Sequence, residues 1–257
     1  MRSTNSRNVI VTGGSTGIGF AVARRFAQAG DQVTITARSK NDLEHAVLKL
    51  KYEDLVAEYL VADISNRSDS RMVIDSVNKS AGPIDILINN AGVGIQSPLI
   101  EMDYQSWLTN LRTNLYGTMT MSRLFASQII HEDISGVIIN TSSINANYVE
   151  PTCVAYGASK AGIEAVTRGM ALELARYGIR ICSVQPGYID TPMIDKAFPD
   201  SRESSKYRRD ARRAIPLGRL GNAAEVAEVF YFLTSPDASY ITGTSIVVDG
   251  GVLTKHG

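Results

Sequence analysis

The chain contains 257 residues, of which 44% are hydrophobic and 20% are charged. This composition is typical of a globular protein with a buried core, and it excludes a disordered or low-complexity chain. The 26 acidic side chains balance the 26 basic ones, so no overall field attracts nucleic acid or an anionic membrane. We therefore expect neither as a partner, and the length predicts one domain spanning residues 1–257.

Signals that would direct the chain out of the cytoplasm are missing from the sequence. The polar residues 1–8 lead into a short apolar run, without the apolar segment of a secretory signal. No stretch approaches the roughly 18 apolar residues that span a bilayer. Cys153 and Cys182 form neither a disulfide framework nor a metal-binding pair. We expect a cytoplasmic protein in a reducing compartment.

Short β-branched runs alternate with longer amphipathic segments along most of the chain. The pattern predicts strand 8–12, helix 18–29, strand 32–37, helix 40–51, strand 56–62, helix 65–80, strand 84–88, helix 103–128, strand 137–139, helix 154–177, strand 179–184, helix 223–233 and strand 246–248. Strands that are apolar on both faces require helices above and below. The expected fold is therefore α/β, a doubly wound parallel sheet of about seven strands (Rossmann fold).

Residues 191–216 break this rhythm, because they are long, polar and rich in arginine. This composition predicts a mobile insertion that covers a site. A run of charge is most simply a solvated face, but one or two of its basic residues could instead hold an anionic group of a substrate. The candidates are Lys196, Arg202, Lys206, Arg208, Arg209, Arg212 and Arg213.

A glycine-rich turn joins the first predicted strand to the first helix, over residues 12–19. Glycines allow the backbone to approach an anion, and the free N–H groups of the helix start favour a pyrophosphate. The alternative is that the glycines only pack the strand against the helix. The candidate ligand-binding residues of this turn are Gly13, Ser15, Thr16, Gly17, Ile18 and Gly19.

The end of the second predicted strand distinguishes between dinucleotides. In NAD-binding sheets an acidic residue there binds the ribose 2′-hydroxyl, whereas here the positions hold Arg38 and Ser39. A guanidinium can pair with a 2′-phosphate and a serine can donate to it, so the sequence favours NADP(H) over NAD(H). The alternative is a solvated arginine at a strand end.

Tyr156 and Lys160 lie four residues apart in a predicted helix and therefore share one face. An ammonium beside a phenol is expected to lower the pKa of the phenol, so that Tyr156 acts as general acid in reduction and general base in oxidation. Ser143 follows the strand 137–139 and could hold the substrate oxygen, with Ser142 as its rival. Either serine could instead be a turn hydroxyl or a helix cap.

With these motifs in this order, the chain resembles members of the short-chain dehydrogenase/reductase family. The resemblance covers nearly the whole chain and is carried by the turn 12–19, Asp63, residues 89–92, Asn114, Ser143, Tyr156 with Lys160, Pro186 and Gly187 with Thr191, and residues 248–251. It implies an oxidoreductase that moves a hydride between nicotinamide and a carbonyl or alcohol carbon, and it selects Ser143 over Ser142.

The family's site residues carry over to matching positions of this sequence. The resemblance implies that Asn114 supports a water linking Lys160 to solvent, and that Lys160 also binds the nicotinamide ribose. It places Asp63 and Ile64 beside the adenine, Asn90, Ala91 and Gly92 along the adenosine side, and Ile189 and Thr191 at the carboxamide. Pro186 and Gly187 are further implied cofactor-binding residues. It further implies a homotetramer, or a dimer, formed through the helices of Asn114 and Tyr156.

One position departs from the family pattern. Many NADP-preferring relatives carry a basic residue just before the second glycine of the turn, and here that position is Thr16. The preference for NADP(H) therefore rests largely on Arg38.

The substrate is less well defined by the sequence. Asn145 and Tyr188 join Ser143 and Tyr156 as candidate substrate contacts, but their mixed polarity does not select a substrate. A 3-oxoacyl thioester or other ketone reductase, a sugar or polyol dehydrogenase, and a non-catalytic nucleotide-binding scaffold are the alternatives. A lyase or epimerase is disfavoured because Lys160 is present. His45, His131 and His256 lack ligand spacing, so no metal is expected.

Overall fold

The computed structural model describes residues 6–255, apart from the side chain of Lys196. Residues 1–5 and His256, which entered the sequence-based expectations, lie outside this range. The elements are β1 (Asn8–Thr12), α1 (Gly17–Gln28), β2 (Gln32–Ala37), α2 (Lys40–Lys51), β3 (Ala57–Val61), α3 (Arg67–Ala81), β4 (Ile86–Asn89), α4 (Tyr104–Asn110), a π-helical turn (Leu111–Gly117), α5 (Thr118–Glu132), β5 (Gly136–Thr141), α6 (Val154–Leu174), β6 (Ile179–Pro186), β7 (Ile189–Asp190), α7 (Pro192–Ala197), α8 (Ser201–Ala214), β8 (Gly221–Asn222), α9 (Ala223–Thr234) and β9 (Ser245–Val248). Short 3-10 turns lie at Ile144–Ala146, Ala175–Tyr177, Pro236–Ala238 and Val252–Lys255.

Seven strands form one parallel sheet in the order β3-β2-β1-β4-β5-β6-β9. The predicted doubly wound fold is confirmed, because successive side chains of the central strands enter different cores. In β1, Val9 and Val11 join a core with α1 and α9, whereas Ile10 joins a second core with α3 and α5. This alternation follows from the two-residue period of a strand.

The strand order reverses beside β1, which pairs with both β2 and β4. The loops that follow β1 and β4 leave the sheet in different directions at this point, and open α/β sheets bind ligands in the resulting crevice at the carboxyl ends of their strands. The topology therefore places the turn 12–19 and the segment after Asn89 at the edge of one crevice.

Two sequence-based expectations need correction. The helix expected over 103–128 is interrupted by the π-helical turn Leu111–Gly117, which contains Asn114. Residues 191–216, for which the sequence predicted no helix, contain α7 and α8. Helix α8 lacks an apolar stripe, because its buried positions are the small residues Ser204 and Ala211.

No helix in the described part of the chain is both long enough and apolar enough to cross a membrane.

Candidate active site

A cleft of about 380 Å³ opens at the carboxyl edge of the sheet. It is lined by nearly all of the residues that the sequence singled out for a cofactor: Gly13, Ser15, Thr16, Gly17, Ile18, Arg38, Ser39, Asp63, Ile64, Asn90, Ala91, Gly92, Pro186, Gly187, Ile189 and Thr191. The candidate reactive and substrate residues Ser143, Asn145, Tyr156, Lys160 and Tyr188 line the same cleft. Gly19 and Asn114 do not line it.

Gly19 lies beneath the cleft and not on its wall. A Cβ atom at this position would collide with the carbonyl oxygen of Gly13 and with the side-chain amide of Asn90. Gly19 therefore allows α1 to pack closely against the turn, and the expectation that it contacts a ligand is not supported by its position.

Hydrogen bonds join the glycine turn after β1 to the loop after β4. The hydroxyl of Thr12 accepts hydrogen bonds from the backbone N–H groups of Asn90 (3.0 Å) and Ala91 (3.1 Å). The amide of Asn90 donates to the carbonyl oxygens of Thr12 (3.2 Å) and Gly13 (3.1 Å). These contacts join the loops that follow β1 and β4, so both sides of the crevice are fixed relative to each other.

The start of α1 suits an anion. Thr16 precedes the helix and provides no side-chain cap, and no acidic residue lies in the first turn. The first N–H groups of a helix lack backbone partners and carry the positive end of the helix dipole. Gly17 adopts a φ of 57°, and a Cβ atom there would meet only the side chain of Thr191, at 3.5 Å. The residues therefore fit a pyrophosphate at this end of the cleft.

Lys160 lies one helical turn from Tyr156 on α6, at the other end of the cleft. Its side chain is buried, and its Nζ atom donates a hydrogen bond of 2.7 Å to the carbonyl oxygen of Thr141. Burial lowers the pKa of Lys160 to about 8. Since an ammonium has three donors, and only this hydrogen bond is made to the described residues, the remaining donors suit ribose hydroxyls.

The expected lowering of the Tyr156 pKa is not found. Burial raises the pKa of the phenol, while its interaction with the Ser143 hydroxyl acts in the opposite direction. The Nζ atom of Lys160 lies 5.6 Å from the centre of the Tyr156 ring and is directed to Thr141. Desolvation is the largest influence on this phenol, which is therefore protonated at neutral pH.

The two candidate serines make different contacts. The Oγ atom of Ser142 donates to the carbonyl oxygen of Lys160 at 3.3 Å, so its proton is engaged by α6. The Oγ atom of Ser143 accepts from the backbone N–H of Asn145 at 3.1 Å and caps the 3-10 turn Ile144–Ala146. The capping role and a role toward substrate are compatible, because the hydrogen bond from Asn145 does not use the Ser143 proton. The Ser143 hydroxyl also interacts with the Tyr156 hydroxyl.

Asn114 supports the site from below. Its Oδ1 atom accepts from the backbone N–H of Val93 at 2.8 Å, and its Nδ2 atom donates to the Val93 carbonyl at 2.9 Å. The same nitrogen donates to the hydroxyl of Ser159 at 2.9 Å. Asn114 thus joins the π-helical turn to the loop after β4 and to α6. Ser159, which the sequence analysis did not single out, completes this link.

Comparison with known proteins identifies the family. A family model described as enoyl-(acyl carrier protein) reductase matches residues 13–253. The chain belongs to the short-chain dehydrogenase/reductase family. Its members are oxidoreductases that bind a nicotinamide cofactor, as the sequence resemblance implied.

Individual relatives of this short-chain dehydrogenase/reductase have different substrates in their names. The chain is 35% identical over 244 residues to a 3-oxoacyl-(acyl-carrier-protein) reductase of Thermotoga maritima, covering 95% of this chain and 96% of the relative. A gluconate 5-dehydrogenase of Burkholderia cenocepacia, solved with NADP and tartrate, has a TM-score of 0.88 at 30% identity over 98% and 97% of the two chains. An actinorhodin polyketide ketoreductase variant, solved with NADPH, has a TM-score of 0.91 at 28% identity over 98% and 99%.

Arg38 follows β2 and lies at the candidate cofactor side of the cleft of this dehydrogenase/reductase. It is exposed and lines the cleft, and none of the described acidic side chains forms an ion pair with it. Ser39 caps α2 by accepting from the backbone N–H of Asp42 at 3.2 Å. Its hydroxyl proton therefore stays available for a donor role.

At the end of the cleft that holds Tyr156, which is the candidate substrate end, aromatic side chains from α8 and the preceding loop meet the cleft wall. The hydroxyl of Tyr188 donates to Oε1 of Glu150 at 2.6 Å. Tyr207 packs edge-on to Tyr188, with ring centres 6.1 Å apart, and stacks on Phe198 at 4.8 Å. Glu150, Phe198 and Tyr207 line the cleft but were missed by the sequence reasoning, because residues of these types have no spacing that marks a site.

The basic residues of α8 lie outside the wall of the cleft. Arg208 pairs with Asp190 (3.0 Å) and Asp195 (2.9 Å) and also contacts the Ser204 hydroxyl. None of the six described candidates lines the cleft: Arg202, Lys206, Arg208, Arg209, Arg212 and Arg213. Their positions therefore do not support the hypothesis that these six residues hold an anionic substrate group, and they agree with the interpretation as a solvated face.

Within residues 6–255, no three or more His, Cys, Asp or Glu side chains are grouped in a way that could hold a metal ion.

Proposed function

We propose that the protein is an NADP(H)-dependent oxidoreductase that interconverts a ketone or aldehyde and the corresponding alcohol, with Tyr156 as general acid and base. The observation that carries this proposal is the convergence of Ser143, Tyr156 and Lys160 on one end of a cleft whose other end holds the glycine turn and Arg38. When bound, the nicotinamide supplies the hydride in reduction and accepts it in oxidation.

In the proposed reduction, the Ser143 hydroxyl donates a hydrogen bond to the substrate carbonyl oxygen and fixes its position. The Tyr156 hydroxyl then gives its proton to that oxygen as negative charge develops there. The raised pKa of Tyr156 keeps the phenol protonated at neutral pH, which is the state that a proton donor needs. In oxidation the phenolate removes the proton from the alcohol.

Lys160 is proposed to stabilise the phenolate that remains after proton transfer. Its ammonium is close enough to the Tyr156 ring for a favourable charge interaction, and its pKa of about 8 leaves it mostly charged at neutral pH. Through its remaining donors it would also bind the nicotinamide ribose. Asn114 and Ser159 would position the first turns of α6.

The proposed preference for NADP(H) rests on Arg38, with Ser39 as a further donor. An unpaired guanidinium at the cofactor side of the cleft is suited to a ribose 2′-phosphate. Two related structures were solved with NADPH and with NADP, which supports the same choice. Asp63 and Ile64 would flank the adenine, and Ile189 with Thr191 would contact the carboxamide.

Two substrate classes are consistent with the relatives: 3-oxoacyl thioesters and sugar acids or polyols. A non-catalytic nucleotide-binding protein is the competing function of another kind. It is disfavoured because Asn114, Ser143, Tyr156 and Lys160 are all present and positioned around one cleft or directly beneath it.

The proposal is tested by following NADPH absorbance with a panel of thioester, ketose and steroid-like ketones. The wild-type protein and Tyr156→Phe are compared, with Tyr104→Phe as a control because Tyr104 is exposed and outside the cleft. We expect Tyr156→Phe to bind NADPH but to lose roughly 10²- to 10⁴-fold in kcat. Binding of NADPH without turnover of any carbonyl by the wild-type protein would instead support a nucleotide-binding scaffold.

We further propose a homotetramer, or a dimer, built through the π-helical turn, α5 and α6. Tyr116, Met119 and Leu172 expose 48%, 45% and 85% of their surfaces on these elements, and exposed apolar patches mark protein interfaces. Sedimentation equilibrium tests this: a species of four or two chains is expected, and a monomer at micromolar concentration contradicts it.

A further inference from the structure

A carboxylate stands at the substrate end of the cleft without a cationic partner. Glu150 lines the cleft beside Cys153 and Tyr188. Its Oε1 atom accepts the 2.6 Å hydrogen bond from Tyr188, whereas its Oε2 atom accepts none from the residues that the structure describes. None of the described Lys or Arg side chains forms an ion pair with it.

The backbone around Glu150 is held by hydrogen bonds, so the position of its carboxylate is defined. Its N–H donates to Oδ1 of Asn145 at 3.4 Å, and its carbonyl accepts from the N–H of Cys153 at 3.1 Å. Together with the Tyr188 hydrogen bond, these contacts hold the side chain between the loop after β5 and the end of β6.

The negative charge of Glu150 influences the pKa values of Tyr156 and of neighbouring side chains. Burial is the main cause of the raised pKa values of Cys153, Tyr156, Tyr188 and Tyr207, and the charge of Glu150 raises each of them further. Cys153 reaches a pKa of about 11. Any charged group of a substrate placed among these side chains would also interact with Glu150.

The described cations nearby do not offset this charge. Lys160 lines the cleft, but its ammonium donates to the carbonyl of Thr141, and the carboxylate that influences its pKa is that of Glu164. Arg208 pairs with Asp190 and Asp195, and the other described basic residues of α8 do not line the cleft. A substrate carboxylate or phosphate close to the reacting carbon would therefore face a like charge in a partly desolvated site, which is unfavourable. A substrate hydroxyl would instead find a strong acceptor in Oε2.

We propose that Glu150 determines substrate specificity, and that the substrate is an uncharged polyhydroxylated ketone or the corresponding polyol, one of whose hydroxyls donates to Glu150. This inference rests on the proposed function and refines it, since it favours hydroxyl-rich neutral substrates over both 3-oxoacyl thioesters and sugar acids. Glu150 acts here as a binding group and takes no part in proton transfer.

The kinetic test uses three ketones with the same four-carbon skeleton: erythrulose, which carries hydroxyls, butanone, which carries none, and 2-oxobutanoate, which carries a carboxylate. We expect the wild-type enzyme to have its highest kcat/KM with erythrulose and its lowest with 2-oxobutanoate. Glu150→Gln should lower the ratio of kcat/KM for erythrulose to kcat/KM for 2-oxobutanoate by roughly ten- to a hundredfold, which is the effect of a hydrogen bond to a charged group. Reduction of butanone should change little.

Two further variants separate charge from shape. Glu150→Asp keeps the carboxylate and should keep the rejection of 2-oxobutanoate. Glu203→Gln removes an exposed carboxylate from α8 that does not line the cleft, and it should leave the order of the three ketones unchanged. If wild type reduces butanone but Glu150→Gln leaves the erythrulose to 2-oxobutanoate ratio unchanged, the inference about Glu150 is overturned while the proposed function stands.

A binding measurement that needs no turnover tests the role of Glu150 even if the protein does not reduce any of the ketones. Erythritol ends in a hydroxymethyl group where erythronate ends in a carboxylate. Neither compound has a ketone, so neither is reduced by protein saturated with NADPH. Erythritol should raise the melting temperature of the wild-type protein more than erythronate does, and Glu150→Gln should abolish the difference. An equal effect of both ligands on the wild-type protein contradicts the inference.

Discussion

The side-chain amide of Asn114 donates to the hydroxyl of Ser159 at 2.9 Å, and Ser159 in turn donates to the backbone carbonyl of Tyr156 at 2.6 Å. This chain of hydrogen bonds joins the π-helical turn to the segment of α6 that carries Tyr156. Both side chains are fully buried, so water cannot replace either contact. The position of the phenol is thus coupled to a residue outside the cleft.

Ser159→Ala is expected to destabilise the protein by about 1–2 kcal/mol, because it removes a buried partner of Asn114. It should also reduce kcat, since the start of α6 loses one of its supports. Urea unfolding and steady-state kinetics measure both effects. Ser127→Ala is the control: its exposed hydroxyl donates only to the carbonyl of Arg123 on the same helix, and a change within about 0.5 kcal/mol is expected. Equal destabilisation by both variants contradicts the proposed link.

Arg38→Asp is expected to shift the preference from NADPH toward NADH. The change replaces attraction for a 2′-phosphate by repulsion, and the ratio of the two kcat/KM values should fall by roughly a hundredfold or more. Lys49→Asp, on the exposed face of α2 and away from the cleft, makes the same change in net charge and should leave the ratio unaltered. An unchanged ratio in Arg38→Asp means that another residue selects the cofactor.

The sequence predicted the strands well where apolar runs were bounded by polar turns. Strands 8–12 and 32–37 and helix 40–51 agree with β1, β2 and α2 in both bounds. Helix α8 was missed because its inward-facing positions hold Ser204 and Ala211, which give no apolar periodicity. The π-helical turn was also missed, since such a turn lies inside a longer helix and no residue type marks it in the sequence.

The stability of Lys160→Met relative to wild type should depend on pH. Burial lowers the pKa of Lys160 from 10.5 to about 8 in the folded protein, so the unfolded chain binds more protons between these values and wild-type stability rises with pH there. Below pH 8 the full cost of burying the charge is present, on the order of 3 kcal/mol.

We therefore expect Lys160→Met to be more stable than wild type below pH 8. The gain in the free energy of unfolding is reduced by the loss of the hydrogen bond to Thr141. The gain should disappear as the pH rises from 8 to 10.5. Chemical denaturation of both proteins across this range gives the difference in free energy of unfolding. A difference that is independent of pH is inconsistent with a lysine that is charged and buried at neutral pH.

Arg208→Ala is expected to loosen α8 without disturbing the sheet. Arg208 bridges α8 to Asp195 on α7 and to Asp190 on β7, and α8 carries Tyr207 into the substrate end of the cleft. Amide hydrogen exchange in residues 201–214 should become faster, and the KM for the carbonyl substrate should rise several-fold with little change in the KM for NADPH. Arg212→Ala, an exposed control on the same helix, should change none of these. Unaltered exchange in Arg208→Ala contradicts the bridging role.

The candidate site was predictable where residue type and spacing together indicate a chemistry. Tyr156 and Lys160 share a helical face, and Ser143 follows a strand at the same sheet edge. The direction of the Tyr156 pKa was not predictable, because it depends on how deeply the phenol is buried and on where Nζ of Lys160 points. Glu150 was missed for a related reason, since only the fold brings its carboxylate beside Tyr188.

The central claim is that hydride transfer to a carbonyl carbon depends on the Tyr156 proton, and it is tested most directly with NADPH deuterated at the transferable position of the nicotinamide. The wild-type protein should place deuterium on the carbinol carbon of the product alcohol, as mass spectrometry would show. Tyr156→Phe should bind the same NADPH and form almost no labelled product. Labelled product formed at the wild-type rate by Tyr156→Phe would contradict the account.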